Sequence, residues 1–184
     1  MGRFMNHKKW VVALALIATA LILTHLPVSE ADAAASASDF QIEGSTLTKY
    51  RGSDERVTIP DTVEVVGESA FENNQKVQFV VVPKSVKRMD AYVFWGCDNL
   101  EEVVLGKGLT SVDEYAFSGC TGLKQITIPE NVQSIDAQAF AGCTNLTDIY
   151  IPDTVTSIAD DAFLNCDNVT IHADEGSVAE KFAQ

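Results

Sequence analysis

Residues 123–149 read Leu123-Lys-Gln-Ile126-Thr-Ile128-Pro129-Glu-Asn-Val132-Gln-Ser-Ile135-Asp-Ala-Gln-Ala139-Phe140-Ala-Gly142-Cys143-Thr-Asn-Leu146-Thr-Asp-Ile149. Two periodicities share this stretch. Ile126 and Ile128 flank one polar residue, the alternation of a short strand with one buried face. Pro129 closes that strand, because proline cannot donate to a ladder and sits at strand ends. Val132, Ile135, Ala139 and Phe140 follow at spacings of three and four, which predicts a turn or short helix on an opposite wall. Gly142 and Cys143 then turn the chain back.

The same unit recurs at a fixed period, the step from Phe71 to Phe94. Phe71, Phe94, Phe117, Phe140 and Phe163 keep that period without a gap. Pro60, Pro83, Pro129 and Pro152 share one register, with Gly106 in the remaining slot. Cys97, Cys120, Cys143 and Cys166 form a further column, with Asn74 in the first copy, and Val77, Leu100, Leu123, Leu146 and Val169 another. A fixed period of this length marks a solenoid, in which each unit buries its apolar face only against its neighbours. The fold class is therefore an α/β repeat solenoid, a stack of about five units over 57–171 with a parallel β-sheet face and strands about 4.8 Å apart. In such a stack the terminal Phe71 should contribute less to stability than the central Phe117, having neighbours on one side only.

The string Ile-Pro-x-x-Val-x-x-Ile-x-x-x-Ala-Phe-x-Gly-Cys-x-x-Leu-x-x-Ile resembles the BspA-like leucine-rich repeats. Residues 128–149 match it at Ile128, Pro129, Val132, Ile135, Ala139, Phe140, Gly142, Cys143, Leu146 and Ile149. The resemblance implies an N-terminal β-hairpin cap around Leu47-Thr-Lys-Tyr50-Arg-Gly52, within a linker and cap segment at 34–56. It also implies a short closing helix from Gly176 to Lys181, within a cap at 172–184. It implies an exported surface protein engaged in adhesion or protein binding. The sequence departs from the pattern at Asn73-Asn74 for Gly-Cys, at Gly106 for Pro and at Asn165 for Gly.

Residues 1–33 read as a secretory signal peptide. Arg3, Lys8 and Lys9 precede the apolar run Val11 to Leu23, and Ala31-Asp32-Ala33 offers a small-residue cleavage site, with a cut after Ala37 as the variant. An uncleaved anchor over Val11 to Val28 is the competing reading, weakened by Thr24, His25 and Pro27 inside it. Either way the chain is expected to be secreted or held at the cell surface.

The 184 residues carry 13 Lys and Arg against 26 Asp and Glu, a formal charge of −13. The segment 1–33 holds three of the basic and two of the acidic side chains, so 34–184 carries 10 against 24, or −14. That excess argues against nucleic acid and anionic lipid as partners. Nothing in the sequence calls for a cofactor. The four cysteines read either as a row of small buried thiols or as a pair of rungs joined by a strained disulfide. Four sulfurs strung along a stack cannot close a tetrahedron around zinc.

Catalytic groups are sparse. His172 is the one histidine after the leader, and no H-E-x-x-H, G-x-S-x-G or phosphate-binding loop occurs. The acidic pairs Glu101-Glu102 and Asp160-Asp161 fall on outward slots and read as a solvated face. The solvent face of the sheet carries more. Strand alternation turns Phe79, Val81, Glu102, Val104, Gln125, Thr127, Asp148 and Tyr150 outward, and apolar surface rimmed by charge marks interaction sites. These eight residues are the predicted contacts for a protein or polysaccharide partner. A second aromatic group, Tyr92, Trp95 and Tyr115, falls on the opposite wall. The sequence thus points to a non-catalytic binding or adhesion module, with a self-associating surface component as the alternative.

Overall fold

The computed structural model describes residues 35–184, so the predicted leader at 1–33 lies outside the described residues. After a 3-10 turn at Ala37–Asp39, a hairpin of β1 (Phe40–Glu43) and β2 (Thr46–Tyr50) leads into the stack, its turn made at Gly44 with φ +63°. Each of the next five coils contributes two very short strands and one wall of turns, and a last partial coil contributes a first strand only. The first strand of each coil gives β3 (Arg56–Thr58), β5 (Phe79–Val81), β7 (Glu102–Val104), β9 (Gln125–Thr127), β11 (Asp148–Tyr150) and β13 (Thr170–His172). The second gives β4 (Val65–Val66), β6 (Arg88–Met89), β8 (Ser111–Val112), β10 (Ser134–Ile135) and β12 (Ser157–Ile158). Helix α1 (Val178–Ala183) closes the stack, with Ser177 capping its N-terminus through the Glu180 amide.

A coil therefore has three sides. Ile126 and Ile128 are buried on the first, Ile135 lies in the second, and Phe140 points in from the third. The three-and-four spacing from Val132 to Phe140 comes from a corner, a strand and a turn wall in succession, and the wall is not helical. On that wall backbone amides alternate between two duties. Those of Ser69, Phe71 and Asn73 reach the next coil at Ala91, Val93 and Trp95, and those of Ala70, Glu72 and Asn74 close local turns. Every amide in this run is satisfied without a helix.

The alternation needs left-handed backbone at fixed slots. One such column holds Asn73, Gly96, Gly119, Gly142 and Asn165, all at positive φ. Asparagine is the residue besides glycine that visits this region at little cost. The two departures from the repeat pattern at this slot are thus conformationally equivalent to it.

The core is a set of stacked columns. Phe71, Phe94, Phe117 and Phe140 are fully buried, with successive centroids 5.0, 5.3 and 5.2 Å apart. The column continues beyond the repeats at both ends. Tyr50 stacks on Phe71 at 5.0 Å with Phe40 beyond it, and Phe182 of α1 meets Phe163 at 5.8 Å. Phe71 therefore has rings on both faces, and the reduced contribution expected of a terminal copy does not apply to it. The outermost repeat ring, Phe163, is only half-buried.

The four cysteines are free, buried thiols. Each donates its S–H to the carbonyl of a phenylalanine in the preceding coil: Cys97 to Phe71, Cys120 to Phe94 and Cys143 to Phe117 at 3.1 Å, Cys166 to Phe140 at 3.0 Å. Those carbonyls also accept a turn amide, so both lone pairs are used. Asn74 takes the slot in the first coil, its Oδ1 accepting from the Lys76 and Val77 amides. Burial pushes the Cys97 thiol up to about 12 and raises Cys120 as well. A thiol reagent should label none of the four in the folded chain and all four after unfolding without reductant. The same burial makes stability pH-dependent. The unfolded thiols ionise from about pH 9 while folded Cys97 holds its proton, so its contribution is whole below that pH and falls as pH rises toward 12. Urea midpoints measured between pH 7 and 11 should decline accordingly.

The stack has one seam. The first-strand sheet is ordered β3-β5-β7 and then β9-β11-β13, and the second breaks between β6 and β8. The chain crosses this seam at Gly106-Lys107-Gly108. A Cβ on Gly106 would lie 2.3 Å from the Pro83 carbonyl oxygen, and one on Gly108 would lie 2.2 Å from that of Lys84. Glycine at these two positions lets the corner press onto the preceding coil and draw away from the next. The turn wall stays bonded across the seam, through Tyr92 to Glu114, Phe94 to Ala116 and Gly96 to Ser118.

Candidate functional site

Register places all eight predicted contact residues on one face, in two columns. Phe79 and Glu102 are register partners, as are Gln125 and Asp148; beside them Val81 pairs with Val104 and Thr127 with Tyr150. Their inward neighbours Val80, Val103, Ile126 and Ile149 are buried, so alternation holds on every rung. The face is also longer than the sequence indicated. Arg56 and Thr58 add a rung before Phe79, and Thr170 and His172 add one after Tyr150. The last step, from Asp148 to Thr170, falls one position short of the step from Gln125 to Asp148 before it. That shortening brings His172 into the face, and a strict period could not have revealed it.

The face is chemically uneven. At its start the Arg56 guanidinium lies 4.3 Å from the Phe79 ring centre, a cation–π contact between adjacent coils. In the middle Val81 and Val104 form an apolar strip, and Val104 is 41% exposed, high for a large aliphatic side chain. At the seam, where β7 and β9 do not pair, Glu101, Glu102, Lys124 and Gln125 line a shallow notch of about 390 Å³. An exposed Lys124–Glu101 ion pair bridges it. At its far end the His172 ring stacks on Tyr150 at 4.3 Å, and its Nε2 lies 2.8 Å from an Asp148 oxygen. That bond holds the Asp148 carboxyl below the usual carboxylate range. The other ring nitrogen, Nδ1, is buried with no partner. The residue that a His-based catalytic site would need is thus packed between a tyrosine and an aspartate.

Among the described residues no group of three or more His, Cys, Asp or Glu side chains could hold a metal ion, and no helix is long and apolar enough to cross a membrane. The second aromatic group is assembled on the turn wall. Tyr92 and Tyr115 stack at 4.8 Å and 5°, and Trp95 meets Tyr92 edge-on at 6.5 Å and 84°.

A capped stack of short coils, each with a strand on one parallel face and a column of phenylalanines inside, is a leucine-rich-repeat solenoid. The chain belongs to the BspA-type leucine-rich repeat family, whose pattern matches residues 45–170 in six copies. The match begins ahead of the first regular unit. There β2 pairs with β4 by setting Thr46 against Val65, a step shorter than the regular period. None of the curated proteins matches the chain. Among solved structures, a leucine-rich cell surface protein from Faecalibacterium prausnitzii is 33% identical, with a TM-score of 0.70 over 75% of this chain and 37% of its own. A leucine-rich repeat protein of T. pallidum is 29% identical, with a TM-score of 0.69 over 71% of this chain and 66% of its own. One from Bacteroides ovatus is also 29% identical, with a TM-score of 0.61 over 71% and 36%. The chain spans between about a third and two thirds of the lengths of these relatives.

Proposed function

We propose that this protein is an exported, non-catalytic binding module that takes a protein or polysaccharide along its strand face, at the cell surface or outside the cell. The observation that carries the reading is the apolar patch of Phe79, Val81 and Val104 on two adjacent rungs, with Tyr150 two rungs further along the same face, where a solvated sheet would be polar. Phe79 and Tyr150 stand three rungs apart, about 14 Å along the stack. That span suits an extended chain lying across the strands better than a small metabolite. Family membership supports a module that works by binding, and the surface location of the Faecalibacterium relative supports export. The hairpin continues the second-strand sheet beyond β4, whereas β3 is the outermost strand of the contact-face sheet, so pairing between copies at that edge is the second reading.

Aromatic side chains dominate interface energies. Replacing Phe79 and Tyr150 with serine together should weaken binding at least roughly tenfold while the melting transition stays native-like. The partner would come from pull-downs against matrix proteins, polysaccharides and the cell's own surface proteins. Undiminished affinity in a folded double variant would remove the strand face as the site. Light scattering that rises with protein concentration would favour the self-associating alternative.

A further inference from the structure

The turn wall carries a second, differently built site. Tyr92 and Tyr115 extend one column of side chains along the stack, and one coil earlier that column holds Ser69. The face of Tyr92 turned away from Tyr115 therefore looks across a gap one coil deep, about the thickness of a ring. Trp95 stands at right angles to Tyr92 and forms the side of this gap, 38% exposed. One coil before Trp95, in its own column, is Glu72. Glu68, Ser69, Glu72, Tyr92 and Trp95 together line a depression of about 330 Å³. Two aromatic rings and two carboxylate side chains line it.

We propose that this corner binds a guanidinium group, presented as an arginine side chain of a partner protein. The gap above Tyr92 is plate-shaped, and guanidinium is the planar side-chain cation that keeps its charge at every physiological pH: it stacks on aromatic rings and pairs with carboxylates edge-on. Trp95 offers the ring type that attracts cations most strongly. The strand face already contains the arrangement in miniature. There Arg56 occupies the coil slot next to Phe79 and lies 4.3 Å above its ring. On the turn wall the corresponding slot holds a serine, so the plate must come from outside.

Charge in the corner favours a cation. Glu68 and Glu72 face it, and the Glu72 carboxylate accepts only a long 3.4 Å bond from Asn73. Lys49 reaches this corner from the hairpin, and its Nζ donates to the Ser69 carbonyl at 2.8 Å. Its single charge leaves the pair of carboxylates in excess. A sugar could also stack on Trp95, but it would make no use of two converging negative charges.

Trp95 reports on the site directly. In the full chain carrying Trp10→Phe it is the sole tryptophan. A blocked tri-arginine peptide should change its emission saturably, and a blocked tri-lysine peptide should bind roughly three- to fivefold more weakly. Combining Glu68→Gln with Glu72→Gln should weaken the arginine peptide roughly fivefold and leave the melting transition in place. Tyr92→Ser, which puts at this slot the residue that Ser69 already carries in left-handed backbone, should erase the preference for arginine in calorimetric titrations. Equal affinity for the two peptides would overturn the assignment. So would affinity unchanged by the glutamate pair, a response to neutral oligosaccharides in place of arginine, or no saturable response. None of these outcomes bears on the strand face.

Discussion

Replacing Phe117 with alanine should lower the unfolding free energy by about 3–5 kcal/mol, read as a fall in urea midpoint. The side chain is fully buried, and it lies between Phe94 at 5.3 Å and Phe140 at 5.2 Å. The hole cannot simply close, because turn-wall hydrogen bonds tie this coil to both neighbours, from Phe94 to Ala116 and from Phe117 to Ala139. Phe71→Ala should cost about as much, since Tyr50 covers its outer face at 5.0 Å. Phe163→Ala should cost less: its ring is half-buried, and the covering Phe182 is tilted by 56° at 5.8 Å. A Phe71 loss far below that of Phe117 would mean that the hairpin leaves the first coil open.

The second large effect is expected at the seam. Gly108→Ala should destabilise by about 1–3 kcal/mol, the range for forcing extra atoms into a filled space. The new Cβ would meet the carbonyl oxygens of Lys84 at 2.2 Å and Val86 at 2.4 Å. Both are backbone atoms, so no rotamer change relieves the contact, and the corner itself must lift. Gly119→Asn is the contrasting case. Its Cβ would meet nothing closer than 3.5 Å, and Asn73 and Asn165 already occupy the same left-handed slot. That substitution should cost under about 1 kcal/mol. Comparable losses at the two glycines would mean that close approach at the 106–108 corner does not govern the seam.

The buried columns were legible because a solenoid repeats one local environment. Any side chain facing inward at Phe117 meets the same surroundings one repeat earlier and one repeat later, so the period appears directly in the sequence. The outward residues Phe79, Val81, Val104 and Tyr150 followed from strand alternation by the same logic. What the period could not carry lies where the stack begins, ends or breaks. Tyr50 stands closer to Phe71, and Phe182 closer to Phe163, than the period allows, so neither falls in the phenylalanine column by counting. Their rings join it because the hairpin and α1 bring them there.

The sequence by itself determined the repeat, the inward and outward sides of each strand, the buried cysteine column and the family. All of these are consequences of spacing along the chain. The tertiary structure alone decided the S–H bonds from each cysteine to the preceding coil, because the pitch of the stack selects an acceptor as distant along the chain as Phe71 is from Cys97. It decided the seam, because Gly106 and Gly108 matter through the backbone carbonyls they approach. It placed His172 against Tyr150 by dropping one residue from the last coil. And it turned Trp95 edge-on to Tyr92, since the angle between two rings of one coil is set by packing and not by spacing along the chain.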